Sequence, residues 1–259
     1  MFNKKIISVL LLLTAVVGMS AFSQKSKTSN RRVLMVLTST STLGNTGQTT
    51  GFHFSEATHP HDVFTHANFE IDFASPKGGE APKAYVDLED KINLAFFLNP
   101  FNMSKIKKTY NPSQINPARY DAIFYVGGPG AMWDFPNNQQ LAKITAAIYE
   151  RGGVVAAICH GPAGLVNVKL SDGSYLVAGK TVTSFSNEEE EAIGLTKVVP
   201  FLLETKLIER GAKFVEASLY QPKVAVTERL VTGQNPASAK EMSERIVDLL
   251  QKTQLKPES

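Results

Sequence analysis

The sequence predicts an α/β domain built on a mostly parallel sheet with helices on both faces, and three observations carry that expectation. Short apolar runs recur at residues 33–37, 122–126 and 154–158. Each has strand length and lacks polar alternation, as strands buried on both faces do. Between them, apolar residues return every three or four positions, as at Leu141, Ile144 and Ile148, the spacing of one helical face. Finally, the run at 154–158 passes straight into Cys159-His160-Gly161-Pro162, a strand, a tight turn and a helix start. Strands alternating with helices of this length imply parallel pairing.

The elements follow in order. Residues 1–23 read as a secretory signal: Lys4 and Lys5 precede an apolar stretch from Ile6 to Val17, and Ala21-Phe22-Ser23 supplies small residues for cleavage. That stretch falls short of the ~20 residues of a membrane span, so export to a periplasm or the cell exterior is expected. A polar linker, 24–31, leads into one domain over 32–254 and a short tail, 255–259. After the first strand comes a Ser/Thr/Gly-rich loop to Thr50, then a strand at 70–74 that Ser75-Pro76-Lys77-Gly78-Gly79 stops. Residues 80–118 have weak periodicity and four prolines, Pro82, Pro100, Pro112 and Pro117, and read as a partly helical lid. Its Leu94, Phe96, Phe97, Leu98 and Phe101 are expected to pack on the body. Further on, 180–183 reads as a strand and 198–210 as a helix stopped by Gly211. Residues 224–226 and 230–232 form a hairpin around Glu228-Arg229. Ala239, Met242, Ile246 and Leu249 mark the core face of the last helix.

The formal charge is +3, and without residues 1–23 it is +1. A near-neutral chain has no electrostatic reason to seek nucleic acid or an anionic membrane. One cysteine occurs in the whole chain. It cannot form an internal disulfide, and a lone thiol in an oxidising compartment is either buried and inert or kept for its chemistry.

Its setting favours chemistry. Gly161 permits a tight backbone, and Pro162 suits a first helical turn. A residue there points out of the carboxyl end of the sheet, where open α/β folds bind ligands. A helix N-terminus would favour thiolate over thiol. The His160 N–H and a donor from the Gly127-Gly128 turn would receive an oxyanion. His53, His59, His61 and His66 crowd into fourteen residues, yet no pair has a firm metal-ligand spacing, and no metal site is expected.

Ala157-Ile158-Cys159-His160-Gly161-Pro162-Ala163 resembles the nucleophile motif of the ThiJ/PfpI superfamily, whose fold is flavodoxin-like and related to class I glutamine amidotransferases. The lidded branch of glyoxalase III and chaperone-like proteins is the most similar. Thr50-Gly51-Phe52, Glu56-Ala57, His59-Pro60, Asp72-Phe73-Ala74-Ser75, Gly127-Gly128, Gly130, Trp133-Asp134 and Val231-Thr232-Gly233-Gln234-Asn235-Pro236 continue the likeness along nearly the whole chain after the signal. It implies Cys159 as nucleophile, His160 as adjacent base and Glu56 as an acid beside the thiol. Glu190 is implied as the third carboxylate, with Glu189 as the alternative. Trp133 joins Gly127, Gly128 and His160 in substrate binding. Pro129 stands where several glyoxalases of the branch have His, and proline removes a backbone donor there.

The resemblance implies a cofactor-free conversion of a small 2-oxoaldehyde such as methylglyoxal to a hydroxy acid, or the same sulfur chemistry on amine adducts, as a deglycase. Homodimers are common in that family, and the sequence marks no interface. Two rivals remain. An amidase or cysteine peptidase uses a similar elbow, and products from glutamine or peptides would identify it. A stress chaperone or redox sensor needs no turnover, and aggregation suppression by a Cys159→Ala variant would identify the chaperone.

Overall fold

The computed structural model describes residues 31–252. The signal-like segment, nearly all of the linker and the tail lie outside the described residues.

In chain order the first half holds β1 (Arg32–Val36), the short β2 (Phe52–His53), α1 (Phe54–His66), β3 (Glu70–Ala74), the short β4 (Lys83–Ala84), α2 (Lys91–Leu98), α3 (Pro100–Lys107) and β5 (Ala122–Tyr125). The second half holds α4 (Ala131–Asp134), α5 (Gln139–Glu150), β6 (Val154–Ile158), β7 (Thr181–Val182), α6 (Asn187–Ala192), α7 (Leu203–Glu209), β8 (Lys213–Phe214), β9 (Val224–Thr227), β10 (Leu230–Gly233) and α8 (Ala239–Lys252). Six strands form the main sheet in the order β3-β1-β5-β6-β10-β9. All neighbours are parallel except the β9–β10 hairpin. Leaving out that antiparallel edge, the order is flavodoxin-like, and such sheets place ligands at the carboxyl ends of their strands.

Two cores lie against the sheet because successive side chains of a strand point to opposite faces. Leu34, Val36, Ile123, Tyr125, Val155 and Ala157 meet Leu141, Ile144 and Ile148 of α5 on one face. Val33, Met35, Phe124, Val126, Ala156 and Ile158 meet Phe54 and Phe64 of α1 and Met242, Ile246 and Leu250 of α8 on the other. Leu250, rather than Leu249, completes the buried stripe of α8, and Leu249 sits at its margin. Eleven residues make three helical turns, which returns Leu250 to the azimuth of Ala239.

The second half departs from the sequence reading in two places. The helix expected over 198–210 begins only at Leu203, because Pro200 disfavours helical backbone at the preceding residue and lacks an N–H. The strand expected at 180–183 is reduced to β7, and it pairs with β8 in a small separate sheet.

The excursion at 80–118 is ordered by local capping. Asp90 accepts from the N–H groups of Ile92 and Asn93, and Asn99 accepts from those of Phe101 and Asn102, with Pro100 at the first position of α3. Both helices pack along the first edge of the domain, α2 on α1 and α3 on β3. Their apolar cluster divides. Phe96 and Ile106 are buried, and Phe97 packs partly against the core. Leu98 and Phe101 remain 69% and 66% exposed, and Leu94 is also exposed. The expectation that the whole cluster packs on the body therefore fails for these three, because one face of a two-turn helix cannot carry every apolar residue in a run.

Candidate active site

The thiol sits where β6 ends. Cys159 has φ +57°, a left-handed conformation that side chains with a Cβ rarely adopt. It is held there by its N–H donating to Gly233 O at 2.8 Å and by its carbonyl accepting from the Phe185 N–H at 2.9 Å. Backbone strain of this kind, held by a surrounding framework, collects at functional sites. The residues that follow, Gly161–Gly164, form a single buried 3₁₀ turn rather than an α-helix. A Cβ on Gly161 would collide with the Tyr125 carbonyl, so the chain can pass β5 here only as glycine.

His160 lies beside the thiol, its Nδ1 3.4 Å from Sγ. Its Nε2 is 2.9 Å from Glu190 Oε2, and both side chains are almost fully buried. A carboxylate only accepts, so Glu190 takes the Nε2 proton and leaves Nδ1 as the ring acceptor facing the thiol. The ring also packs on Phe185, with centroids 4.5 Å apart. Neighbouring Glu189 has a different task. Its Oε2 receives the Ser186 N–H in a capping box at the start of α6, and its Oε1 receives the Tyr220 N–H and Asn235 Nδ2. Of the two candidates, Glu190 therefore meets His160, while Glu189 ties α6 to the loops before β9 and after β10.

Glu56 arrives from the first turn of α1 and is fully buried. Its Oε2 accepts the Gly127 N–H at 3.0 Å, and its carboxyl also bonds the Cys159 thiol. Burial pushes this carboxyl up to about 8, against which the bonds from Cys159 and Gly127 work. Burial and the adjacent Glu56 charge push the Cys159 thiol well up too, opposed by the Gly128 and His160 N–H groups. Helix-end stabilisation of a thiolate, expected from the sequence, is thus outweighed by desolvation. Both shifts favour the protonated forms, and Glu56 and Sγ share a hydrogen bond along which a proton can pass.

Within the Gly127-Gly128 turn, the Gly127 N–H is occupied by Glu56. Its contribution is space: a Cβ there would lie 2.5 Å from Glu56 Oε2 and 2.7 Å from Cys159 Cβ. Gly128, at φ +103°, supplies the N–H that faces the sulfur. A Cβ on it would lie 2.6 Å from the His53 nitrogen. Because the donor belongs to Gly128, Pro129 leaves it intact. Trp133 is half-buried, packed on the core and against Gly44. Its neighbour Asp134 pins the loop after β1 through Thr38 Oγ1 at 2.8 Å and the Ser39 N–H at 2.7 Å, and burial raises its carboxyl to about 6.

Two residues of the site mouth were missed. His53, immediately before α1, stacks on Tyr85 with ring centroids 5.0 Å apart and planes 15° apart. Tyr85 lies within electrostatic reach of Cys159, Glu190 and Glu56. Nothing in the sequence marks Tyr85, which follows a two-residue strand, and His53 stands out in the sequence only as one of four crowded histidines. Those histidines separate in space. His59 pairs with Asp90 at 3.1 Å, His66 pairs with Asp62, and His61 packs among Phe73 and Phe96. Among the described residues, no three metal-ligating side chains converge.

The family pattern described as the DJ-1/PfpI family matches residues 48–249. Glyoxalase 3 of Candida albicans is 34% identical over 229 residues, covering 83% of this chain and 97% of that protein. The glutathione-independent glyoxalase HSP31 of Saccharomyces cerevisiae is 32% identical over 235 residues, covering 85% and 98%. Among solved structures, the Rapid Encystment Protein 24 KDa of Francisella tularensis superposes with a TM-score of 0.82 at 42% identity, covering 85% of this chain and 99% of that one.

Proposed function

This chain belongs to the DJ-1/PfpI family, and from that footing we propose that it is a glutathione-independent glyoxalase converting a small 2-oxoaldehyde to a 2-hydroxy acid through Cys159. The observation that carries the reading is the buried Glu56 carboxyl sharing hydrogen bonds with Sγ and Gly127. An elbow cysteine that only hydrolyses amides needs a base and an oxyanion pocket. A second acid held at the sulfur, with its proton retained to about pH 8, suits a proton transfer between adjacent carbons instead. The relatives named glyoxalases support the same class.

Sγ adds to the aldehyde carbon as its proton passes to His160 Nδ1, forming a hemithioacetal. The developing alkoxide lies against the Gly128 and His160 N–H groups and takes the Glu56 proton. The Glu56 carboxylate then removes the hydrogen of the former aldehyde carbon, giving an enediolate. It returns that proton to the neighbouring carbon, and the hydroxyl proton passes from one oxygen to the other. The product is the Cys159 thioester of the 2-hydroxy acid. Water cleaves it, one water proton passes to the Glu56 carboxylate as the acid leaves, and the proton on His160 returns to Sγ. Methylglyoxal and one water thus give lactate, and these residues supply every proton transfer. The same addition to early adducts on amines is the deglycase form of this reading.

The test is methylglyoxal consumption with chiral lactate analysis, without glutathione, for the wild type and Cys159→Ala. Lactate formation by the wild type alone, with unchanged circular dichroism, is expected. Turnover retained by Cys159→Ala would sink the mechanism.

A further inference from the structure

The mechanism assigns donors to one substrate oxygen and none to the other. Gly128 and His160 face the oxygen on the carbon that sulfur attacks. The ketone oxygen next to it becomes an enediol oxygen when Glu56 moves the proton, so negative charge builds there as well. A donor aimed at that oxygen would stabilise the transition state more than the ground state.

His53 is built into the same frame. It stands three residues before Glu56, and its N–H donates to Gly127 O at 3.0 Å, so its backbone is bonded to the strand end that carries the oxyanion turn. Its Nδ1 is buried and has no hydrogen-bond partner among the described residues. An orphaned polar atom of this kind at a site mouth calls for an explanation. Burial, with the charges of His160 and His59, lowers the ring to about 4, so it is neutral near pH 7 and carries one N–H.

Tyr85 reaches the site from the excursion after β4. It adopts φ +54°, a conformation that costs an aromatic residue about 1–2 kcal/mol. Its side chain is nevertheless 58% exposed, so core packing does not account for the strain. What the strained backbone achieves is the near-parallel stack on His53, on the side of the site shared by Cys159, Glu56 and Glu190.

We propose that His53 is a further catalytic residue whose Nδ1–H binds the ketone oxygen of the 2-oxoaldehyde, and that Tyr85 is the positioning residue that holds its ring plane. This rests on the glyoxalase reading. Nδ1 is a buried nitrogen without a partner, and the assignment places the one proton of the neutral ring on it. Tyr85 acts through the imidazole it stacks on, not by proton transfer.

Two rates measured on each purified variant test this: methylglyoxal turnover, and alkylation of Cys159 by iodoacetamide, which needs the thiol but no second carbonyl. His53→Ala is expected to lower kcat about 10²-fold, the scale of one lost oxyanion donor, with alkylation unchanged. His53→Asn, whose amide N–H stands near the place of Nδ1, is expected to recover part of kcat. Tyr85→Ala is expected to lower kcat less than His53→Ala and to raise KM, again with alkylation unchanged. Wild-type kcat in His53→Ala, or a parallel loss of alkylation, would overturn the assignment while leaving the glyoxalase reading intact. A wild type that is alkylated but turns over no 2-oxoaldehyde would overturn that reading, and this inference with it.

Discussion

The cysteine elbow and the excursion at 80–118 both interrupt the regular sheet, and they are held in opposite ways. At the elbow, backbone is pressed on backbone. Gly127, Gly128 and Gly161 each stand where a Cβ would strike a carbonyl, a nitrogen or a catalytic side chain, and Cys159 keeps a left-handed backbone under bonds from two neighbouring segments. In the excursion, Asp90 and Asn99 hold the helix starts while Leu98 and Phe101 stand in solvent. The first region is over-determined by contacts distant in sequence, the second by its own caps. Errors of a fraction of an ångström should therefore be felt at the elbow and absorbed in the excursion.

Gly127→Ala strikes the elbow where it is most tightly packed against Glu56 and Cys159. The added Cβ displaces Glu56 or Cys159, so turnover should fall about 10²-fold or more, with a stability loss of roughly 1–3 kcal/mol from overpacking. Kinetics and urea unfolding on the same preparation would show it, and a variant equal to the wild type would mean that the elbow yields like a loop.

Next in size is the contrast between adjacent glutamates. Glu190→Gln should lower turnover about 10²-fold by unsettling the His160 tautomer, with little change in Tm. Glu189→Ala should spare most turnover and lower stability by about 1–2 kcal/mol through the lost capping box and the lost ties to Tyr220 and Asn235. The reverse pattern would exchange their roles.

A pH series sharpens the same point. Burial raises Glu56 to about 8 in the folded protein from 4.5, so the folded state binds the extra proton between those values. Its stabilising contribution is complete below about 4.5 and is lost as pH rises to about 8. Glu56→Gln has no such limb. Between pH 5 and 8, the stability difference from urea midpoints should move in favour of the Gln variant, by up to about 1.4 kcal/mol per pH unit. A flat difference would mean that Glu56 is ionised in the folded state. The smallest effect belongs to the excursion: Phe101→Ser should change stability by no more than about 0.5 kcal/mol and leave turnover unaltered.

Much of the molecule is legible in its residues because some signals are local. The buried strands show as unbroken apolar runs, α5 and α8 as three- and four-residue spacing, and the elbow as a strand running into Cys-His-Gly-Pro. Those same residues carry the resemblance that points to Cys159, His160 and Glu56. Where local chemistry competes with tertiary packing, sequence pattern and structure part: α7 starts late after Pro200, Leu250 rather than Leu249 is fully buried, and three of the five apolar residues of the cluster in the excursion face water.

Sequence alone therefore determined the parallel α/β architecture and the elbow that carries Cys159 and its neighbouring histidine, since each depends on residues within one strand and its turn. Tertiary structure decided which of two adjacent glutamates meets His160, that Gly127 supplies room rather than a donor, and that Tyr85 and His53 meet at the mouth. It also decided that burial pushes the thiol up. Each of these depends on groups 30 to 100 positions apart brought within a few ångströms, and on water being excluded once they meet. Desolvation is a property of the assembled interior, and no stretch of chain carries it alone.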